Sequence, residues 1–110
     1  MRTLFLAVLV AVSAGAVEVR LVNATGGWDI HEVYIVQAAS DDWGSDLLGG
    51  AVMKQDGVYA TELSPGLYSM MVVDEDGDEY VKDPALVTAN FVWEITLNDL
   101  EGYETTGSGG

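Results

Sequence analysis

An all-β fold, an antiparallel sandwich of about six to seven short strands, is what this chain predicts. Apolar and polar residues alternate with a period of two in several segments, the pattern of a half-buried strand. β-branched and aromatic residues concentrate in those segments, and Gly, Pro, Asn and Asp punctuate them at short intervals. No stretch sustains helical periodicity. Immunoglobulin-like and prealbumin-like sandwiches both fit this density of strands and turns.

Val17 to Asn23 sets Val17, Val19 and Leu21 against Glu18, Arg20 and Val22, and Asn23-Ala24-Thr25-Gly26-Gly27 then supplies turn residues. Ile30 to Ala39 is apolar on both faces and reads as an interior strand. Ser40 to Gly50 is a loop, with one helical turn expected at Ser45 to Leu48. Val58 to Leu63 alternates. Ser64-Pro65-Gly66 is a tight connection in which Pro65 fixes φ and Gly66 supplies a positive φ. Leu67 to Val73 and Glu79 to Lys82 flank an acidic turn. Phe91, Trp93, Ile95 and Leu97 form a last inward stripe of large residues.

Residues 1–16 carry one arginine, then an apolar run ending in Ala14-Gly15-Ala16, the layout of a secretory signal cleaved after Ala16. The run is short for a bilayer, which takes about 20 apolar residues. The expected organisation is a signal peptide at 1–16, one β-sandwich domain at 17–103 and a disordered tail at 104–110. The product is expected in a secreted or periplasmic location, with no membrane attachment after cleavage. All 18 acidic side chains follow residue 16, against Arg20, Lys54 and Lys82 alone, and the full chain carries a net charge of −14. Such a field repels nucleic acid and anionic lipid and favours a cation or a basic protein surface as partner. There is no cysteine, so stability must come from packing or from a bound cation rather than from disulfides.

The acidic turn Asp74-Glu75-Asp76-Gly77-Asp78 offers the hard oxygen ligands that Ca²⁺ prefers. With Asp76-Gly77 as a two-residue turn, Asp74 faces Glu79 and Glu75 faces Asp78, which splits the carboxylates between two faces. The register excludes an EF-hand, because Glu79 stands at loop position 6 and Ala85 at position 12. A full coordination shell therefore needs a second source of ligands, and Asp41, Asp42 and Asp46 are the obvious one. The two loops share an end of the sandwich provided that Ala51 to Lys54 is not a complete strand of its own. The plain alternative is a charged hairpin that stays solvated and discourages edge pairing.

Three tryptophans separate by context. Trp43, among the aspartates, could anchor a partner or fold back and organise its loop. The structural role is favoured. Trp28 beside Gly26-Gly27 reads as a loop plug, and Trp93 as core. His31 is the only histidine and has no cysteine or second histidine to complete a zinc set, so it reads as an ordinary strand residue. No nucleophile–base pair stands out, and a non-enzymatic module is expected. Asn23-Ala24-Thr25 matches a glycosylation sequon, a frequent pattern taken here as coincidental.

The segments Asn23-x-Thr25-Gly26, Val33-Tyr34-Ile35, Ser40-Asp41-Asp42-Trp43-Gly44-Ser45-Asp46-Leu47-Leu48, Leu63-Ser64-Pro65-Gly66-Leu67-Tyr68 and Asp74-Glu75-Asp76-Gly77-Asp78 together resemble a small module of secreted bacterial proteins with no assigned activity. The resemblance covers nearly the whole chain after residue 16. It implies a β-sandwich outside the cytoplasm and carries no catalytic residues.

Overall fold

The structure, a computed structural model, describes residues 15–102. The expected signal peptide, apart from Gly15 and Ala16, and the expected tail at 104–110 lie outside the described residues. Six strands run in the order β1 (Val17–Asn23), β2 (Ile30–Gln37), β3 (Val58–Leu63), β4 (Gly66–Asp74), β5 (Glu79–Val87) and β6 (Phe91–Ile95), followed by a 3₁₀ turn at Leu97–Asp99. They form two three-stranded sheets, β3-β1-β6 and β2-β4-β5. The all-β sandwich expected from alternation is the observed architecture, with one departure. β6 pairs with β1 in parallel, Trp93 opposite Leu21, while the other pairs are antiparallel.

The core follows the alternation. Val19 and Leu21 from β1, Trp93 and Ile95 from β6, and Val33, Met70, Val72, Tyr80 and Val87 from the second sheet are all buried. Several of the sequence expectations need correction. β2 is an edge strand, and β4 is the central strand of its sheet. The outer edge of β2 is covered instead by the returning loop, where Leu47 N–H donates to the Val33 carbonyl and Met53 exchanges two hydrogen bonds with Ile30. The expected helical turn at Ser45 to Leu48 does not form. Gly66 opens β4 and takes no positive φ, so the Ser64-Pro65-Gly66 link is not the turn its sequence suggests. β5 continues past Lys82 and through Pro84 to Val87. A proline with no N–H is tolerated there because β5 is an edge strand and the ladder is irregular opposite Ser69.

Two facts position the candidate sites. Ile30 pairs with Asp74 and Gln37 with Tyr68, so the start of β2 and the end of β4 share one end of the sandwich. Residues 38–52 then travel back along the β2 edge to that same end, where Met53 meets Ile30.

Candidate metal centre

The hairpin joining β4 and β5 has a three-residue loop, Glu75-Asp76-Gly77, not the two-residue Asp76-Gly77 turn. Gly77 N–H donates to the Asp74 carbonyl at 2.9 Å, Asp74 N–H donates to the Asp78 carbonyl at 3.0 Å, and Gly77 has φ +84°. This is a type I turn closed by a left-handed glycine. The register moves by one residue, so Asp74 faces Asp78 and Val73 faces Glu79. Carboxylates that a two-residue turn would divide between faces are thereby gathered. One carboxylate oxygen from each of Asp74, Asp76 and Asp78 lies within 4.8 Å of the others.

Asp74 is the organiser of this group. It continues the inward-facing series Tyr68, Met70, Val72 along β4 and is only 3% exposed. A buried carboxylate is costly unless hydrogen-bonded, and this one is. Its Oδ1 accepts from the Asp76 and Asp78 amides at 2.9 and 3.0 Å, and its Oδ2 accepts from the Tyr80 hydroxyl at 2.8 Å. Burial first, then the hydrogen bond and charge of Asp74, push the Tyr80 phenol well above its ordinary pKa. Asp76 and Asp78 are exposed. Asp76 is oriented by Trp28, whose indole N–H donates to Oδ2 at 2.9 Å. Glu75 accepts from the Asp29 amide at 2.8 Å, and Lys54 pairs with Asp29 at 3.0 Å.

The Asn23–Asp29 segment that meets the hairpin is itself held by Asn23. Its side-chain amide donates to the Trp28 and Met53 carbonyls, and its oxygen accepts from the Thr25 amide and hydroxyl. All four hydrogen-bonding positions of the side chain are filled, and the residue is 0% exposed. As a glycan acceptor it is inaccessible in this fold. Trp28 is not the loop plug expected; it is 37% exposed at the rim of the acidic group.

The structure does not bring the other expected ligands to this centre. Asp41 and Asp42 follow Gln37, at the opposite end of β2, eight residues or about 25 Å of strand away. Ala51 to Lys54 makes only a single bridge and is no complete strand, yet the loop before it runs the length of the β2 edge and so exchanges the ends. Asp46 lies midway along that path and serves the backbone, its Oδ1 accepting from the Val33 and Leu48 amides at 2.9 Å each. Trp43 is half-buried beside Asp41 and Asp42 in a depression at the Gln37 end. His31 is exposed at an irregularity in the β2 ladder, and Trp93 is core. Tyr80, Trp28 and Asn23 are the site residues that sequence reasoning missed. Tyr80 alone had a legible signal, an inward position on a strand flanking a charged turn.

No protein-family model and no curated protein matches the chain. Among solved structures, it is similar to the NMR structure of a protein from Eubacterium rectale. The TM-score is 0.50 at 6% identity, over 76% of this chain and 87% of that one. At that identity the likeness concerns the fold alone.

Proposed function

We propose that the chain is an exported, non-enzymatic β-sandwich module that binds a divalent cation, Ca²⁺ foremost, at the β4–β5 hairpin. The carrying observation is the convergence of Asp74, Asp76 and Asp78 on a hairpin whose backbone and side chains are already hydrogen-bonded. Oxygen-only donors suit Ca²⁺ or Mg²⁺ rather than a softer metal. Three carboxylates leave most of a Ca²⁺ shell to water, so binding belongs in the weak range of extracellular modules, about 10⁻⁴–10⁻³ M. Export rests on the residue 1–16 pattern, and the non-enzymatic reading on the lack of a nucleophile–base pair in the sequence.

Thermal unfolding in CaCl₂ against NaCl of equal ionic strength tests the reading. Occupancy at 100 times Kd stabilises by about 2.7 kcal/mol, several degrees for a domain of this size. The shift is expected to vanish in Asp76→Asn and Asp78→Asn and to persist in Asp56→Asn. An unchanged Tm in Ca²⁺ sinks the proposal. A second reading, a metal-free acidic module for a basic partner, is favoured by one specific observation. The Asp74 carboxylate already accepts three hydrogen bonds, which leaves it little capacity for a cation. Binding of a lysine-rich peptide in EDTA, weakened by Asp76→Asn, would support that reading.

A further inference from the structure

We propose that the depression at the Gln37 end of the second sheet binds an alkylammonium group, a primary or methylated amine on an aliphatic stem. It lies at the far end from the acidic hairpin and stands independently of the cation reading there. Its volume is about 140 Å³, room for an ammonium head and a few methylenes.

Three separate parts of the chain build it. The end of β2 contributes Val36, the loop contributes Ala38, Asp41, Asp42 and Trp43, and the β4–β5 ladder contributes Ser69 and Asp83. The ladder irregularity between Tyr68 and Met70 sets Asp83 against Ser69. The buried Ser69 hydroxyl donates to the Asp83 carboxylate at 2.7 Å, fixing that charge at the side of the depression. Asp42 is fixed as well, its Oδ1 accepting from the Gly44 amide at 3.0 Å. Gly44 in turn lies over Val36, where a Cβ would stand 3.9 Å from the valine methyl.

The lining chemistry selects the ligand class. Three carboxylates and no basic side chain line the space, which disfavours anions and leaves the negative charge without a partner inside the depression. A bare metal ion has no use for a wall made of an indole, a valine and an alanine. An organic cation uses both halves: its charge meets the carboxylates and the indole, and its stem covers the apolar wall.

The test is a titration of the ¹⁵N-labelled chain, followed by amide shifts, with n-butylammonium and n-butyltrimethylammonium chloride. Ammonium chloride and 1-butanol serve as matched probes of charge alone and stem alone. Saturable shifts confined to the Val36–Gly44 segment, Ser69 and Asp83 are expected with both alkylammonium salts. Asp83→Asn and Trp43→Leu are each expected to weaken binding about two- to fivefold, while Asp76→Asn leaves it unchanged. Asp41→Asn, at an exposed position, repeats the charge test should Trp43→Leu fail to fold. A glycine-flanked lysine peptide binding more tightly than butylammonium supports the site and identifies a protein side chain as the source of the amine. Equal binding supports it with a free amine as the source. The proposal is overturned if ammonium chloride or 1-butanol reproduces the shifts, if the shifts spread over the whole acidic surface, or if none saturates.

Discussion

Asn23 carries more of the fold than its place at a strand end suggests. Its four side-chain hydrogen bonds tie β1 to the Trp28 and Met53 segments in a site with no solvent. Truncation to alanine removes all four, and although the Trp28 and Met53 carbonyls keep the Thr25 hydroxyl and the Ile30 amide as donors, the buried Thr25 amide loses its acceptor, a loss of about 1–3 kcal/mol on top of the bonds themselves. Asn23→Ala is therefore expected to destabilise by about 2–4 kcal/mol in urea unfolding. Asn23→Asp should be no milder, because it sets a carboxylate oxygen against the Trp28 and Met53 carbonyls. Neither outcome is legible in Asn23-Ala24-Thr25 as a sequon. The same side chain that reads locally as a glycan acceptor is consumed by partners distant in sequence.

Tyr80 and Tyr34 give the molecule an alkaline limit. Tyr34 is pushed up to about 12, foremost by its hydrogen bond to Glu32, and Tyr80 is pushed up foremost by burial. Both start from an ordinary value of 10.0. A raised folded-state pKa means that the unfolded chain releases its proton first. It then binds fewer protons than the native state, and stability falls as pH rises. The contribution is complete below about pH 10 and declines above it. Unfolding free energy measured across this window should drop less steeply in Tyr80→Phe. That variant also loses about 1–2 kcal/mol at neutral pH, with its bond to Asp74.

Among the elements, the β4–β5 hairpin shows how one residue of loop length decides a site. Asp-Gly signals a tight turn in either of two geometries, and the sequence does not distinguish them. The inward parity of Asp74, set by Met70 and Val72, together with its acceptance of two loop amides, selects the longer loop. Gly77 then needs its left-handed φ of +84°, in open space, so Gly77→Ala is expected to cost about 1–2 kcal/mol from backbone strain alone. Gly66→Ala, at a strand start with only ordinary contact to the Tyr68 ring, should stay within about 0.5 kcal/mol of the parent. Equal losses in chemical denaturation would contradict the turn assignment. A similar contrast applies to the β2 edge. Asp46→Ala removes the acceptor for the Val33 and Leu48 amides and should destabilise by about 1 kcal/mol. Asp46→Asn, which keeps an acceptor oxygen, should lose less.

Across the whole molecule, a charge of −14 with only two ion pairs among the described residues, Arg20–Glu18 and Lys54–Asp29, makes self-repulsion a general term. Raising NaCl from about 0.02 M to about 0.5 M shortens the Debye length several-fold and should raise Tm smoothly. The rise should be of similar size in Asp76→Asn and Asp56→Asn, unlike any Ca²⁺-specific shift. The identity of the ends is also a whole-molecule property. Period-two alternation determined which residues of β1 and β6 face the core, because it depends only on chain geometry. The sandwich, its buried Trp93 and most strand positions were therefore present in the sequence by itself. The path of residues 38–52 carries no such periodicity. It is drawn along β2 by backbone groups of an edge strand, Val33 and Ile30, that need partners. That path separates Asp41 and Asp42 from Asp74, and it was decided only when the sheets formed. Local alternation determined the fold, and long-range hydrogen bonding determined which carboxylates could meet.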